Sequence, residues 1–282
     1  MSAPKLGIIG FGEVGAILAD ALSQAGIDDI TAFVRTPRTA PGITTYTDAK
    51  DALAGRDIVL LTVTAAVALD VAKAIAPLLT PGQIVIDLNS VSPVTKREIA
   101  DIINATEARF VEAAIMGAVP NYGLKVPILM CGDAAGEAAD ALNPYGMDLT
   151  DIGPEYGRAS AIKMFRSIVI KGFEALLQEC VLGADKYGAA DEVLESISDG
   201  YPGLDWKHFA NYLIGRTAIH GSRRAAEMDE VAATLRDVGV DPIMSEAAAK
   251  RIRSLATPAM KEAFGNTAPE SFHDVLDVMK KN

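Results

Sequence analysis

The sequence predicts an α/β chain. A doubly wound parallel sheet is expected over residues 1–155, followed by an all-helical domain over 156–282, with a long helix joining the two. Three observations carry this. Short, nearly continuous apolar runs alternate with helical patterns through the first half, as in a parallel sheet covered on both faces. A glycine-rich turn links the first run to the first helical pattern. Beyond residue 155 the strand-like runs stop and only helical spacing remains.

The elements follow in order. Leu6-Gly7-Ile8-Ile9-Gly10 is an apolar run, followed by Phe11-Gly12-Glu13-Val14-Gly15. A helical pattern continues to Ala25, where Gly26 is placed to end it. Further strand-like runs lie at 30–34, 58–63, 84–88, 110–116 and 126–131, with helical stretches at 66–79, 93–104 and 135–145. From 155 to 186 there is no strong breaker, and Ile162, Phe165, Val169, Phe173, Leu176 and Leu177 keep helical spacing. The later helices break at Asp199-Gly200-Tyr201-Pro202-Gly203, Asp241-Pro242 and Thr257-Pro258. There is no internal repeat and no low-complexity tract.

Composition narrows the function. Half of the 282 residues are hydrophobic and 22% are charged, which excludes wholesale disorder. A net charge of −11 argues against a nucleic-acid partner, because phosphate backbones need clustered Lys and Arg. One local basic pocket can still take an anionic ligand. Cys131 and Cys180 make no disulfide framework and no zinc spacing, and His208, His220 and His273 are scattered, so no metal is expected. No basic stretch followed by an apolar one opens the chain, and no apolar run reaches the roughly 18 residues of a membrane span. The chain reads as cytoplasmic, with no membrane partner.

Gly10-Phe11-Gly12-Glu13-Val14-Gly15 fits G-x-G-x-x-G, closing a strand and opening a helix inside a strand-helix-strand unit. In that setting the pattern predicts a Rossmann-like dinucleotide site, with pyrophosphate held at the helix N-terminus. The end of the second strand selects the cofactor. An NAD site places Asp or Glu about 20 residues past the glycines, on the ribose hydroxyls. Phe33-Val34-Arg35-Thr36-Pro37-Arg38 holds no acid and two arginines, and Arg35 can bind a 2′-phosphate by charge-assisted hydrogen bonds. NADP is therefore expected rather than NAD. The cofactor-binding set is Gly10, Phe11, Gly12, Glu13, Val14, Gly15, Arg35, Thr36, Val63, Thr64 and Asn89.

Three further segments, Asp87-Leu88-Asn89-Ser90-Val91-Ser92-Pro93, Glu112-Ala113-Ala114-Ile115-Met116-Gly117-Ala118 and the run from Gly157 through Lys163 to Ser167, occur in that order. They resemble the D-x-S-T-x-x-P, D-A-P-V-S-G-G and G-x-x-x-x-x-K-x-x-x-N motifs of the β-hydroxyacid dehydrogenases, which include 3-hydroxyisobutyrate and 6-phosphogluconate dehydrogenases. The resemblance covers residues 5 to 175. It implies that Lys163 is catalytic and that Ser90, Met116, Gly117 and Ser167 contact substrate. Met116 and Ser167 stand where the family has Ser and Asn. A thioether cannot donate a hydrogen bond, so an apolar substrate group is expected beside Met116. Ser92 before Pro93 also suits a helix N-cap.

The helical half resembles a branch carrying His-Gly-x-Arg-Arg-x-x-Glu-Met, here His220 to Met228. Two readings stand. His220 and Arg224 bind substrate, Arg taking a carboxylate, or the segment is an Arg–Glu network on a helix or at a dimer interface. Gly221 would allow close approach of another chain or a ligand.

The resemblance implies hydride transfer between NADP and a carbon carrying a hydroxyl, with Lys163 exchanging the hydroxyl proton. A lysine in that role needs a pKa below its free value, through burial or neighbouring positive charge. The expected partner is a small, carboxylate-bearing substrate, and the expected assembly is a homodimer. Two alternatives share the architecture: an imine reductase, and a non-catalytic NADP-binding sensor.

Overall fold

The computed structural model describes residues 3–281. Their fold divides into two compact units between Lys163 and Met164.

The first unit contains β1 (Leu6–Ile9), α1 (Glu13–Gln24), β2 (Ile30–Phe33), β3 (Thr44–Tyr46), α2 (Ala49–Leu53), β4 (Ile58–Leu61), α3 (Ala68–Ile75), β5 (Ile84–Asp87), α4 (Pro93–Asn104), β6 (Arg109–Ile115), α5 (Val119–Tyr122), β7 (Pro127–Cys131), α6 (Ala135–Leu142) and β8 (Asp148–Asp151). The strands form one sheet in the order β3-β2-β1-β4-β5-β6-β7-β8. The order reverses direction between β1 and β4, so the carboxyl ends of these strands flank the crevice where open α/β sheets bind ligands. Alternation splits the core. Ile8, Leu60 and Ile86 pack under α1 and α6, whereas Ile9, Leu61 and Val85 pack under α3 and α4.

Three details differ from the sequence expectation. β3 and β8 were not expected; they are short edge strands with little buried apolar side chain, so no apolar run marks them. β7 runs antiparallel to β6. The chain between them forms only short helical turns, not a crossover helix that would return it parallel. The stretch 66–79 is α-helical only over Ala68–Ile75, with 3₁₀ turns on both sides, the second built around Pro77.

Helix α7 (Arg158–Asp185) starts in the first unit, and the division falls inside it. The second unit continues with α8 (Ala190–Gly200), α9 (Trp206–Asp237), α10 (Ile243–Leu255), α11 (Pro258–Phe264) and α12 (Phe272–Lys280). Leu177, Val181, Leu194, Leu213, Ile214 and Phe272 share one core; Ala225, Met228, Val231, Ala249 and Ile252 form another. Asp205, Thr257 and Ser271 cap the helices that follow them, the last in a reciprocal capping box. Helix α9 is kinked at His220, where φ is −120° and ψ is 15°. Among the described residues no helix is long and apolar enough to cross a membrane.

Candidate active site

The glycine turn has the geometry that its spacing demands. Gly10 has φ +103°, a region closed to most side chains, and a Cβ there would lie 2.6 Å from the Thr62 carbonyl. At Gly15 a Cβ would strike the Gly10 carbonyl and the Thr62 hydroxyl, so α1 can lie this close to the sheet only without one. Thr62 Oγ1 donates to the Gly10 carbonyl (2.6 Å) and braces the turn. Gly12 differs: a Cβ there would meet nothing within 4 Å, and no side chain caps the N-terminus of α1. The first-turn N–H groups therefore face an open approach and carry the positive end of the helix dipole. Half-buried Val63 packs a methyl toward Gly10, and Thr64 begins the next turn. Arg35 and Thr36 are exposed at the carboxyl end of β2.

The second cluster stands at the end of β5. The Asp87 carboxylate accepts the Asn89 N–H (2.9 Å), folding a tight turn that carries Asn89 and Ser90. Asn89 is 3% exposed, and both polar atoms of its amide lack a hydrogen-bond partner within the chain. A buried amide left so is costly, and its donor and acceptor are both available to a ligand. Together with the uncapped helix and the open face at Gly12, it fits a dinucleotide. One residue on, Ser90 Oγ accepts a hydrogen bond from Lys163 Nζ at 2.5 Å. That bond leaves the Ser90 hydroxyl proton to serve another acceptor.

Two buried charges hold this cluster, and neither was singled out from the sequence. Lys96, on α4, is 1% exposed; its ammonium donates to the carbonyls of Asp87 (2.6 Å) and Ala113 (3.2 Å) and lies 3.0 Å from Asp87 Oδ2. The approach to Oδ2 is an ion pair without hydrogen-bond alignment, since that oxygen has no well-directed donor. Glu112, on β6, is fully buried and accepts backbone N–H groups of Gly157 and Ser160, the latter at 2.7 Å. Its carboxylate caps the start of α7 and satisfies two N–H groups at the helix's positive end. Ser160 is one turn before Lys163, so Glu112 ties the lysine-bearing turn to the sheet. Both residues had a signal: Lys96 shares the apolar stripe of Ile99, Ala100 and Ile103, and Glu112 is an acid inside an apolar strand. The Ser92 cap and Pro93 at the start of α4 are present (Thr95 N to Ser92 Oγ, 3.1 Å).

Met116 is half-buried against Ala114, Cys131 and Ala159, and Gly117 is exposed beside Tyr122. Burial, then the Glu112 charge, pushes the Cys131 thiol up to about 11. The first unit thus sets the glycine turn after β1 and Asn89 and Ser90 after β5, two strands apart on the same edge of the sheet, with Lys163 bonded to Ser90.

The remaining candidates belong to the second unit. Ser167 is half-buried on α7. Arg224 is buried, and its guanidinium grips the carboxylate of fully buried Glu174 in a bidentate pair, Nε at 2.9 and 3.0 Å. Glu174 also accepts from Thr217, which takes a bond from Gln178 (2.8 Å). Lys171 pairs with Glu227 (2.7 Å), as does Arg223 (2.7 Å). Within the His220–Met228 segment Arg223 thus pairs with Glu227 one turn on, while Arg224 pairs with Glu174 of α7. Half-buried His220 sits at the kink; burial, then Arg223, Arg216 and Arg224, lower its pKa. Gly221 allows α10 of the same chain to approach, since a Cβ would lie 3.1 Å from Ala256 Cβ. Among the described residues no group of three or more His, Cys, Asp and Glu side chains is arranged to hold a metal.

Comparison with known proteins agrees with this architecture. Residues 5–151 match the NAD binding domain of 6-phosphogluconate dehydrogenase, and residues 184–255 match a domain of unknown function, DUF1932. An uncharacterized 28.5 kDa protein encoded in the 7S RNA 5′ region of Methanothermus fervidus is 32% identical over 248 residues, covering 85% of this chain and 94% of that protein. The crystal structure of a conserved hypothetical protein from Sinorhizobium meliloti is 35% identical, with a TM-score of 0.83 over 99% of this chain and 97% of that one. The 3-hydroxyisobutyrate dehydrogenase of Mycobacterium tuberculosis, solved with L-serine, shares the fold at 18% identity, with a TM-score of 0.78 over 99% of this chain and all of its own. Over more than half its length, then, the chain belongs to the family of the NAD binding domain of 6-phosphogluconate dehydrogenase, followed by a DUF1932 domain, and it is a nicotinamide-dependent dehydrogenase or reductase.

Proposed function

We propose that this protein interconverts a small hydroxy acid and its carbonyl form with NADP, using Lys163 as the general acid and base. The observation that carries the reading is the Lys163–Ser90 hydrogen bond beside the unpartnered Asn89 amide. When bound, the nicotinamide supplies or accepts the hydride. The chain's own residues do the rest. The turn from Gly10 to Gly15 and the first turn of α1 hold the pyrophosphate, with Val63 and Thr64 beside them. Asn89 meets the nicotinamide half. Arg35 and Thr36 take the 2′-phosphate, which is why NADP is favoured over NAD. Lys163 removes the hydroxyl proton in oxidation and returns one in reduction. Ser90 and the backbone at Gly117 hold the substrate carboxylate, with Met116 facing an apolar substituent. Ser167 and His220 are further substrate contacts in this reading; Arg224 orders the helical unit through Glu174. The protein works in the cytoplasm.

The chain acts as a homodimer in this reading. Val169, Phe173 and Leu176 are exposed along one face of α7, whereas Leu177 and Val181 on another face are buried. A helix that keeps apolar side chains exposed beside its buried stripe calls for a further partner there, and a two-fold axis supplies it with a second α7.

The test is a panel of hydroxy acids with NADP⁺ and NAD⁺, and of cyclic imines with NADPH, run on the wild type and on Lys163→Met. The variant should bind NADPH as the wild type does and lose turnover. Retention of most of kcat would remove Lys163 from the mechanism. Turnover of imines alone would make the protein an imine reductase, and binding without any turnover would make it a sensor.

A further inference from the structure

The fully buried Lys96 ammonium bonds to carbonyls on two different strands. Asp87, whose carbonyl lies at 2.6 Å, is the last residue of β5, and Ala113, at 3.2 Å, lies on β6. The backbone pairing of those strands stops at Asp87 opposite Glu112. Lys96 therefore joins them one residue beyond the last paired position on β6. We propose that Lys96 is a positioning residue for the reaction, setting the Ser90 hydroxyl against Lys163 by locking the ends of β5 and β6 together. This rests on the dehydrogenase reading given above, in which Lys163 exchanges the proton.

Two arms meet at this lock. From β5, Asp87 accepts the Asn89 N–H (2.9 Å) and so fixes the turn whose next residue is Ser90. From β6, Glu112 accepts the N–H groups of Gly157 and Ser160 and so fixes the first turns of α7, which carry Lys163. Ser90 is exposed, and its bond to Lys163 spans 73 positions of chain, so no local rule sets their separation. That separation follows from how the end of β5 lies against β6, and Lys96 is bonded to both.

Stability alone does not account for a lysine here. Its neighbours on α4, Ile99, Ala100 and Ile103, are apolar and buried. Two apolar side chains in place of Lys96 and Asp87 would avoid desolvating two charges, and such replacements are often neutral or stabilising. Carbon side chains lack directed bonds, whereas an ammonium donating to two carbonyls beside a carboxylate prefers one arrangement. What the charge adds is a fixed spacing, and a misplacement of about 1 Å at a reacting group can cost roughly a hundredfold in rate.

The experiment compares the wild type, Lys96→Met, the double variant Lys96→Met, Asp87→Asn, and Ile99→Ala, which opens a cavity under the same helix. Steady-state oxidation of 3-hydroxyisobutyrate and the other hydroxy acids of the panel with NADP⁺ gives kcat and KM. Calorimetric titration with NADPH and amide exchange over 87–92 and 157–163 give readouts that need no turnover. All are taken below the lowest melting temperature. Both Lys96 variants should lose about tenfold or more in kcat, with less than about threefold change in KM or in the Kd for NADPH. The glycine turn is braced by Thr62, not by Lys96, so binding is spared. Amide exchange should quicken in both segments. The double variant should regain stability without regaining kcat, and should Lys96→Met alone not fold, it carries the comparison. Ile99→Ala should melt lower yet keep kcat within about twofold. A kcat that returns with stability in the double variant, or falls as far in Ile99→Ala, would reduce Lys96 to a structural residue and overturn the proposal. An unchanged kcat in Lys96→Met would do the same. A wild type that binds NADPH but oxidises no hydroxy acid would overturn the dehydrogenase reading and this role with it.

Discussion

Replacing Lys96 by Met tests the packing beneath the site most directly. Methionine has a similar length, so the change removes charge and donors more than volume. In the native fold the ammonium is 1% exposed, with two carbonyls and the Asp87 carboxylate within 3.2 Å, and Asp87 is fully buried. The variant strands that carboxylate with only the Asn89 N–H as a donor. Breaking one partner of a buried pair costs about 3–5 kcal/mol, against about 5–15 kcal/mol for a whole fold. At roughly 2–4 °C per kcal/mol, the sheet unit should melt about 6–20 °C lower. The double variant Lys96→Met, Asp87→Asn keeps an acceptor for Asn89 and buries no charge, so it should recover about half of the loss. Urea denaturation of the full chain, followed by circular dichroism, measures both. A single variant costing less than about 1 kcal/mol, or a double no more stable than the single, would show that the pair is not what fixes this turn.

Two further outcomes follow from the same region. Glu112→Ala removes the acceptor of the Gly157 and Ser160 N–H groups and should cost about 1–3 kcal/mol. Because it loosens the turn that carries Lys163, kcat should fall further than NADPH affinity; an unchanged kcat would detach Glu112 from the site. The Cys131 thiol, fully buried with a pKa near 11, should resist thiol reagents at pH 8 until the chain unfolds. Its folded pKa is raised, so its contribution is fully present below the unfolded value of about 8.5 and is lost as pH rises through 11. Denaturation midpoints should therefore fall over that alkaline window in the wild type and less in Cys131→Ala. Equal slopes in the two would assign the alkaline loss to other groups.

Much of the sheet unit was legible because local rules and tertiary structure agree there. The interior strands are apolar runs, Gly26 ends α1, and Ser92-Pro93 starts α4, each fixed by groups near in sequence. The edge strands β3 and β8 were not, since their pairing is backbone hydrogen bonding that leaves little apolar trace. The antiparallel turn of β7 was also hidden: a strand's side-chain pattern does not encode its direction.

The site divides along the same line. The sequence by itself determined the glycine turn, because the φ at Gly10 and the approach of Gly15 to the Gly10 carbonyl are local demands that only glycine meets. It also marked Arg35 and Lys163 as residues of interest through spacing and resemblance. Only the tertiary structure decided which charges work together. Lys163 reaches Ser90 across 73 positions, Glu112 reaches Ser160 across 48, and Arg224 spends its guanidinium on Glu174 across 50. A buried charge must find its counterpart wherever the fold brings one, since leaving water uncompensated costs several kcal/mol. The partner it finds is a property of packing, which sequence spacing does not record.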